Sequence, residues 1–191
     1  MIFEILEVIK QEVNGFFGEN AVSLENIASI ESNADGSSTD SNDVLLTLLN
    51  MNEEYALKNI SNNYISGTKV VYKNPKVNLN LYILFSANNS SYSESLKSIS
   101  KVIQFFQGKR IFTQANSTFE HTSEMENLKN FKFIVDLFTP SFEELNFIWG
   151  TLGGKQYPSV LYKLSSIEIE RDMLIGKGEV ISEINNEAKN D

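Results

Sequence analysis

The stretch from Val77 to Phe106 constrains this chain most, because an apolar strand pattern, VNLNLYILFSA, runs straight into a capped amphipathic helix pattern, SYSESLKSISKVIQFFQG. Val77, Leu79, Leu81, Ile83 and Phe85 share one strand face, while Asn78, Asn80, Tyr82 and Leu84 on the other pass from polar to apolar. The second half of the strand is therefore expected to be covered on both sides. Ser91 with Glu94 forms a capping box, Tyr92, Leu96, Ile99, Ile103 and Phe106 fall on one helical stripe, and Gly108 ends it. This pair predicts the centre of a single core.

A second strand and helix repeat the plan. Phe131, Phe133, Val135 and Leu137 form a strand face in FKFIVDLF, which Pro140 breaks. Ser141 and Glu144 make another capping box, and Phe142, Leu145, Ile148, Trp149 and Leu152 give an apolar stripe before Gly153 and Gly154. The last strand pattern, PSVLYKLSSIEIER, changes phase, since Val160, Tyr162 and Leu164 share a parity that Ile167 and Ile169 do not. A bulge at Ser165 and Ser166 would reconcile them.

The remaining segments are simpler. Ile2, Ile5, Leu6, Ile9, Val13, Phe16 and Phe17 predict an amphipathic first helix that stops near Gly18. AVSLENIASIE and TKVVYKNP predict strands, VLLTLLNMNEEYALKN a strand that either continues or turns after Asn52, and IFTQ a brief one. The polar run from Ser32 to Asp43 predicts a mobile loop. ANSTFEHTSEMENLKN is expected to cross the surface with at most one helical turn. The pattern predicts a domain at residues 1–172 and a partly disordered tail at 173–191, where polar residues take over. The class expected is α+β, a mixed sheet flanked by amphipathic helices.

Totals exclude several functions. A chain of 191 residues can bury about 70% of its unfolded surface in one core. It has no cysteine, so no disulfide framework, thiolate nucleophile or sulfur-rich zinc site is available. Twenty-five acidic against sixteen basic side chains give a net charge of −9, which repels phosphate backbones and anionic lipid. Glu4 and Glu7 interrupt the apolar run of the first segment, which reads as neither signal peptide nor membrane span. Lys109 with Arg110 is the nearest thing to a basic patch and reads as a solvated loop.

Reaction chemistry is not expected. No glycine-rich phosphate loop follows a strand, and Gly153 and Gly154 come after a helix rather than before one. Asp35, Ser37 and Thr39 lack the glycine and closing glutamate of a calcium loop. His121 stands alone, with no second histidine to join as ligand or base. Glu53 with Glu54 and Glu143 with Glu144 are sequence neighbours that do not face each other across a cleft. No catalytic, cofactor-binding or metal-binding residue is assigned. Thirteen Phe and seven Tyr fall mostly on the stripes above and are read as core.

Three stretches carry a resemblance: DVLLTLLNMNEEYALKN, NLNLYILFSANNSSYSESLKSISKVIQFFQGKRIFT and SFEELNFIWGTLGGKQYPSVLYKLSSIEIE. In order and spacing they resemble the N-terminal domain of cap proteins from phage-tail-like contractile injection systems of the antifeeding-prophage and virulence-cassette type. The most specific pieces are Asn80 to Tyr82, Phe105 to Gln107, and the series Trp149, Gly153, Pro158, Ser159 and Tyr162. The resemblance implies a fold similar to phage tail terminators. It also implies a hexameric ring that caps inner tube and sheath, assembly in the bacterial cytoplasm, tube and sheath proteins as partners, and no cofactor, nucleic acid or membrane insertion. Lys109, Arg110 and Tyr157 are the candidate partner-interface residues. Little is expected beyond the shared domain, so the role of any extra domain in longer relatives does not transfer. A cytoplasmic assembly chaperone or adaptor for tail components is the alternative, and a small enzyme is disfavoured by the missing motifs.

Overall fold

The computed structural model describes residues 1–18, 20–29, 44–58, 63–67, 69–89, 91–120, 122, 125, 128 and 131–169, with the backbone of 174–179. The expected loop at 32–43, His121 and the last residues of the expected tail lie outside the described residues. Contacts divide the chain into two units, residues 1–53 with 79–167, and 54–78 with 168–191.

The first unit is built on a six-stranded mixed sheet. Its strands are β1 (Val22–Leu24), β2 (Val44–Glu53), β5 (Val77–Ala87), β6 (Ile111–Thr113), β7 (Lys132–Phe138) and β8 (Ser159–Ile169), in the order β1-β2-β5-β8-β7-β6. β1 runs parallel to β2, while the β2/β5, β7/β8 and β6/β7 pairs are antiparallel. The end of β5 lies beside the start of β8, where the Ala87 amide donates to the Pro158 carbonyl at 2.9 Å.

Helices cover both faces of this sheet, which explains why the second half of β5 is apolar on both parities. Leu81, Ile83, Phe85 and Ala87 join the core beneath α1 (Ile2–Phe17) and α2 (Tyr92–Gly108). Leu84 joins a smaller core with Leu45, Leu161 and Trp149, on the side of α3 (Phe142–Thr151). The larger core is rich in rings: Phe112 stacks on Phe133 at 5.1 Å, and Phe106 lies 4.4 Å from Tyr162 between centroids. α1 ends on Gly18 at φ 79°, and the Asn14 side chain both accepts from the Val22 amide and donates to its carbonyl, tying β1 to the helix.

The expected phase change in β8 is present. Ser166 has φ 68°, and beyond it Ile167 returns to the core shared by Val160, Tyr162 and Leu164.

The structure corrects several expectations. α2 is rotated from the expected stripe: Ser95, Ser98, Ile99, Val102, Phe105 and Phe106 are buried, while Tyr92, Leu96 and Ile103 are exposed. Hydropathy alone misplaces this face, because small serines let the helix lie close to the sheet and Ser95 Oγ accepts the Asn89 amide at 3.2 Å. Phe16 and Phe142 are exposed, and Val8, outside the expected α1 stripe, is fully buried. The polar stretch after β6 does more than cross the surface, since Met125 and Leu128 enter the core with Phe131.

The second unit is a three-stranded sheet in the order β3-β4-β9, made of β3 (Asn63–Ser66), β4 (Lys69–Lys73) and β9 (Leu174–Glu179). Both of its strand pairs are antiparallel, and Gly67 at φ 63° supplies the left-handed turn between β3 and β4. β3 carries no periodic apolar pattern, and β9 lies beyond the boundary expected at residue 172. This sheet adds to the single mixed sheet that the sequence predicts.

Candidate functional site

The described surface offers contact chemistry. No group of three or more His, Asp or Glu side chains that could hold a metal occurs among the described residues. Among them, too, no helix is long and apolar enough to cross a membrane.

The three candidate interface residues occupy different settings. Lys109, at the end of α2, is engaged inside the chain: its Nζ lies 2.7 Å from Glu12 Oε2 and 2.6 Å from the Asn116 carbonyl, above the Phe112 ring. Glu12 also accepts the Thr118 amide, so the pair fastens the segment after β6 to α1. Arg110 pairs with Asp136 on β7, and both side chains are substantially exposed, so this bridge contributes little to stability. Tyr157 is half-buried, with its ring 6.1 Å from Trp149 and the Lys155 ammonium 5.3 Å from its centroid.

Tyr157 differs from the two cations in bordering an open cleft of about 830 Å³, lined also by Tyr92, Leu137, Pro140 and Phe142. Phe142 is 92% exposed and Leu137 60%. Tyr92 and Phe142 each directly follow a capping serine, at the first helical position. A side chain there leans over the turn N-terminal to its own Cα and so reaches past the core that its later neighbours enter. That position was the available signal that neither ring belonged to its stripe.

A second concavity, about 1050 Å³, opens between α3, the start of α1 and the β1/β2 edge of the sheet. Phe3, Leu24, Leu49, Tyr82, Phe147 and Ile148 give it apolar walls, and its charged lining residues are Glu25 and Glu144. Glu144 is committed locally, since its carboxylate accepts the Ser141 amide at 2.8 Å in the capping box, whereas Glu25 is exposed. Large exposed apolar side chains beside shaped clefts suit association rather than turnover.

A family model described as the Pvc16 N-terminal domain matches residues 4–183. The chain belongs to that family. Its fold recurs in two cryo-EM structures whose likeness to this chain is visible in shape more than in sequence. The sheath/tube terminator of PVC, an extracellular contractile injection system, in its extended state, is similar with a TM-score of 0.63 and 11% identity. That likeness covers 100% of this chain and 64% of the terminator. The anti-feeding prophage cap, a tube-terminating cap, is similar with a TM-score of 0.61 and 10% identity, covering 96% of this chain and 60% of the cap. The chain thus spans less than two thirds of the length of either protein. No curated protein matches it by sequence.

Proposed function

We propose that this chain is a structural cap of a contractile injection system, a ring that closes the end of the inner tube and sheath and stops tail growth. The observation that carries the reading is that a sheath/tube terminator shares its fold over the whole length of this chain. A tube elongates through a head-to-tail interface that never closes, so every added layer recreates the surface that recruits the next. Growth then requires a component that matches the last layer on one side and differs on the other. A packed domain with exposed apolar clefts suits this task, which asks for contact and no reaction chemistry. In this reading the chain forms a six-fold ring, assembles in the bacterial cytoplasm and travels with the particle. Its partners are tube and sheath proteins, and Tyr157, Lys109 and Arg110 contribute to its contacts.

The test is deletion of the gene in the producing cell, with the particles imaged by electron microscopy. Tubes of scattered length or unstable sheaths are expected. Particles of uniform length with intact ends would rule the capping role out, and absence of the protein from purified particles would favour an assembly chaperone.

A further inference from the structure

Asn14 is the one asparagine in the sequence that glycine follows, and that pair carries chemistry of its own. Glycine has no Cβ, so its backbone nitrogen can approach the preceding side chain closely. In an open chain the Gly15 nitrogen attacks the Asn14 Cγ, the bond from Cγ to the side-chain nitrogen breaks, and that nitrogen leaves as ammonia with the Gly15 amide proton. Water then opens the resulting succinimide at either carbonyl, giving aspartate or isoaspartate. The reaction consumes only water.

The fold holds this pair in the opposite arrangement. Half-buried Asn14 and exposed Gly15 lie in the last turn of α1, where helical dihedrals direct the Gly15 N–H along the axis toward the preceding turn. The Asn14 side chain reaches away from Gly15 to a residue eight positions on: its Oδ1 accepts the Val22 amide at 2.8 Å, and its Nδ2 donates to the Val22 carbonyl at 3.1 Å. Its own carbonyl accepts the Gly18 amide at 2.9 Å, the bond that ends the helix. Ring closure therefore requires the end of α1 to unwind and both bonds to β1 to break.

The product cannot restore that junction. A carboxylate only accepts, so residue 14 would turn an oxygen toward the Val22 carbonyl where it now presents a donor, beside a Val22 that is 2% exposed. Isoaspartate also lengthens the backbone by a methylene. β1 is three residues long and an outer strand of the sheet, so it has few other ties.

We infer that Asn14 is a self-modification site gated by the junction of α1 and β1. It is protected while it holds Val22, reacts when the junction opens, and leaves an aspartate or isoaspartate that opposes reclosure. This goes beyond the capping role and does not depend on it.

The experiment incubates the purified chain in buffer and in urea and follows residue 14 by peptide mass spectrometry with isoaspartate-sensitive detection. In urea Asn14 is expected to convert before any other asparagine. In the folded chain it should convert at least about tenfold more slowly, the protection that its hydrogen bonds to Val22 supply. Another asparagine converting first in urea would overturn the site, and equal rates in the two states would overturn the gate. Gly18→Ala places a side chain at φ 79°, which strains the end of α1, and should raise the folded rate by about fivefold. An unchanged rate would show that the junction is not what protects Asn14. Gly15→Ala, whose added Cβ meets nothing within 4 Å, should keep the fold and suppress conversion in both states. Asn14→Asp stands in for the product and should speed amide exchange across Val22–Leu24 by about tenfold while the main melting transition persists. Exchange as slow as in the parent would overturn the opposition to reclosure. The comparison of rates in the parent chain decides the gate even where a variant does not fold.

Discussion

Trp149 and Phe142 stand about two turns apart on α3 and meet opposite fates. Trp149 is buried against Leu45, Leu84 and Leu161, while Phe142 projects into solvent. Trp149→Ala should therefore cost about 3–5 kcal/mol, and Phe142→Ser should stay within about 0.5 kcal/mol of the parent, both read from denaturant midpoints. Equal losses would mean that the α3 face has been misassigned. Tyr162 offers a pH test. Burial raises its phenol from 10.0 to about 12, because the charged form is disfavoured where water is excluded. Above pH 10 the unfolded chain releases this proton while the folded chain retains it, so unfolding gains. Stability from this group is full below pH 10 and falls between 10 and about 12, with a limiting slope of about 1.4 kcal/mol per pH unit. Tyr162→Phe should flatten that part of the stability profile, measured by urea melts across the range.

At the scale of elements, β9 decides what a shortened chain keeps. A chain ending at Asp172 removes the partner of β4 and leaves the β3–β4 pair, and an isolated two-stranded hairpin is marginal in water. Amide exchange in residues 63–73 should accelerate strongly in that truncation while the main melting transition persists. Unchanged protection there would show that β9 contributes nothing. The elements with local rules were legible in the sequence: Ser91 and Ser141 cap α2 and α3, Gly18 ends α1, and the parity break in PSVLYKLSSIEIER marked the left-handed residue Ser166. What escaped depends on partners distant in sequence. β3 has four exposed residues and no period of its own, and is a strand because β4 pairs with it. Ser95 and Ser98 are buried because a sheet lies beneath them, and Met125 and Leu128 are core residues inside a polar run. The clefts were the least legible of all, since each collects side chains from several elements, and of the residues proposed at the sequence level only Tyr157 lines one of the two described above.

For the whole molecule, the strand order has a consequence for how the chain is made. β8, among the last strands of the sheet to leave the ribosome, sits between β5 and β7. Until it is synthesised, β5 and β7 each present a bare hydrogen-bonding edge, and the apolar rows of Phe85 and Phe133 wait for a neighbour more than twenty residues downstream. Such pairings fold slowly and leave nascent chains prone to edge-to-edge association. A stalled chain ending near Ser159 should accordingly be recovered in aggregates or on chaperones, and release past Ile169 should return it to the soluble fraction. The strand that closes the sheet is thus also the clock of its biosynthesis: the six-stranded sheet is complete only once residues 159–169 have been made.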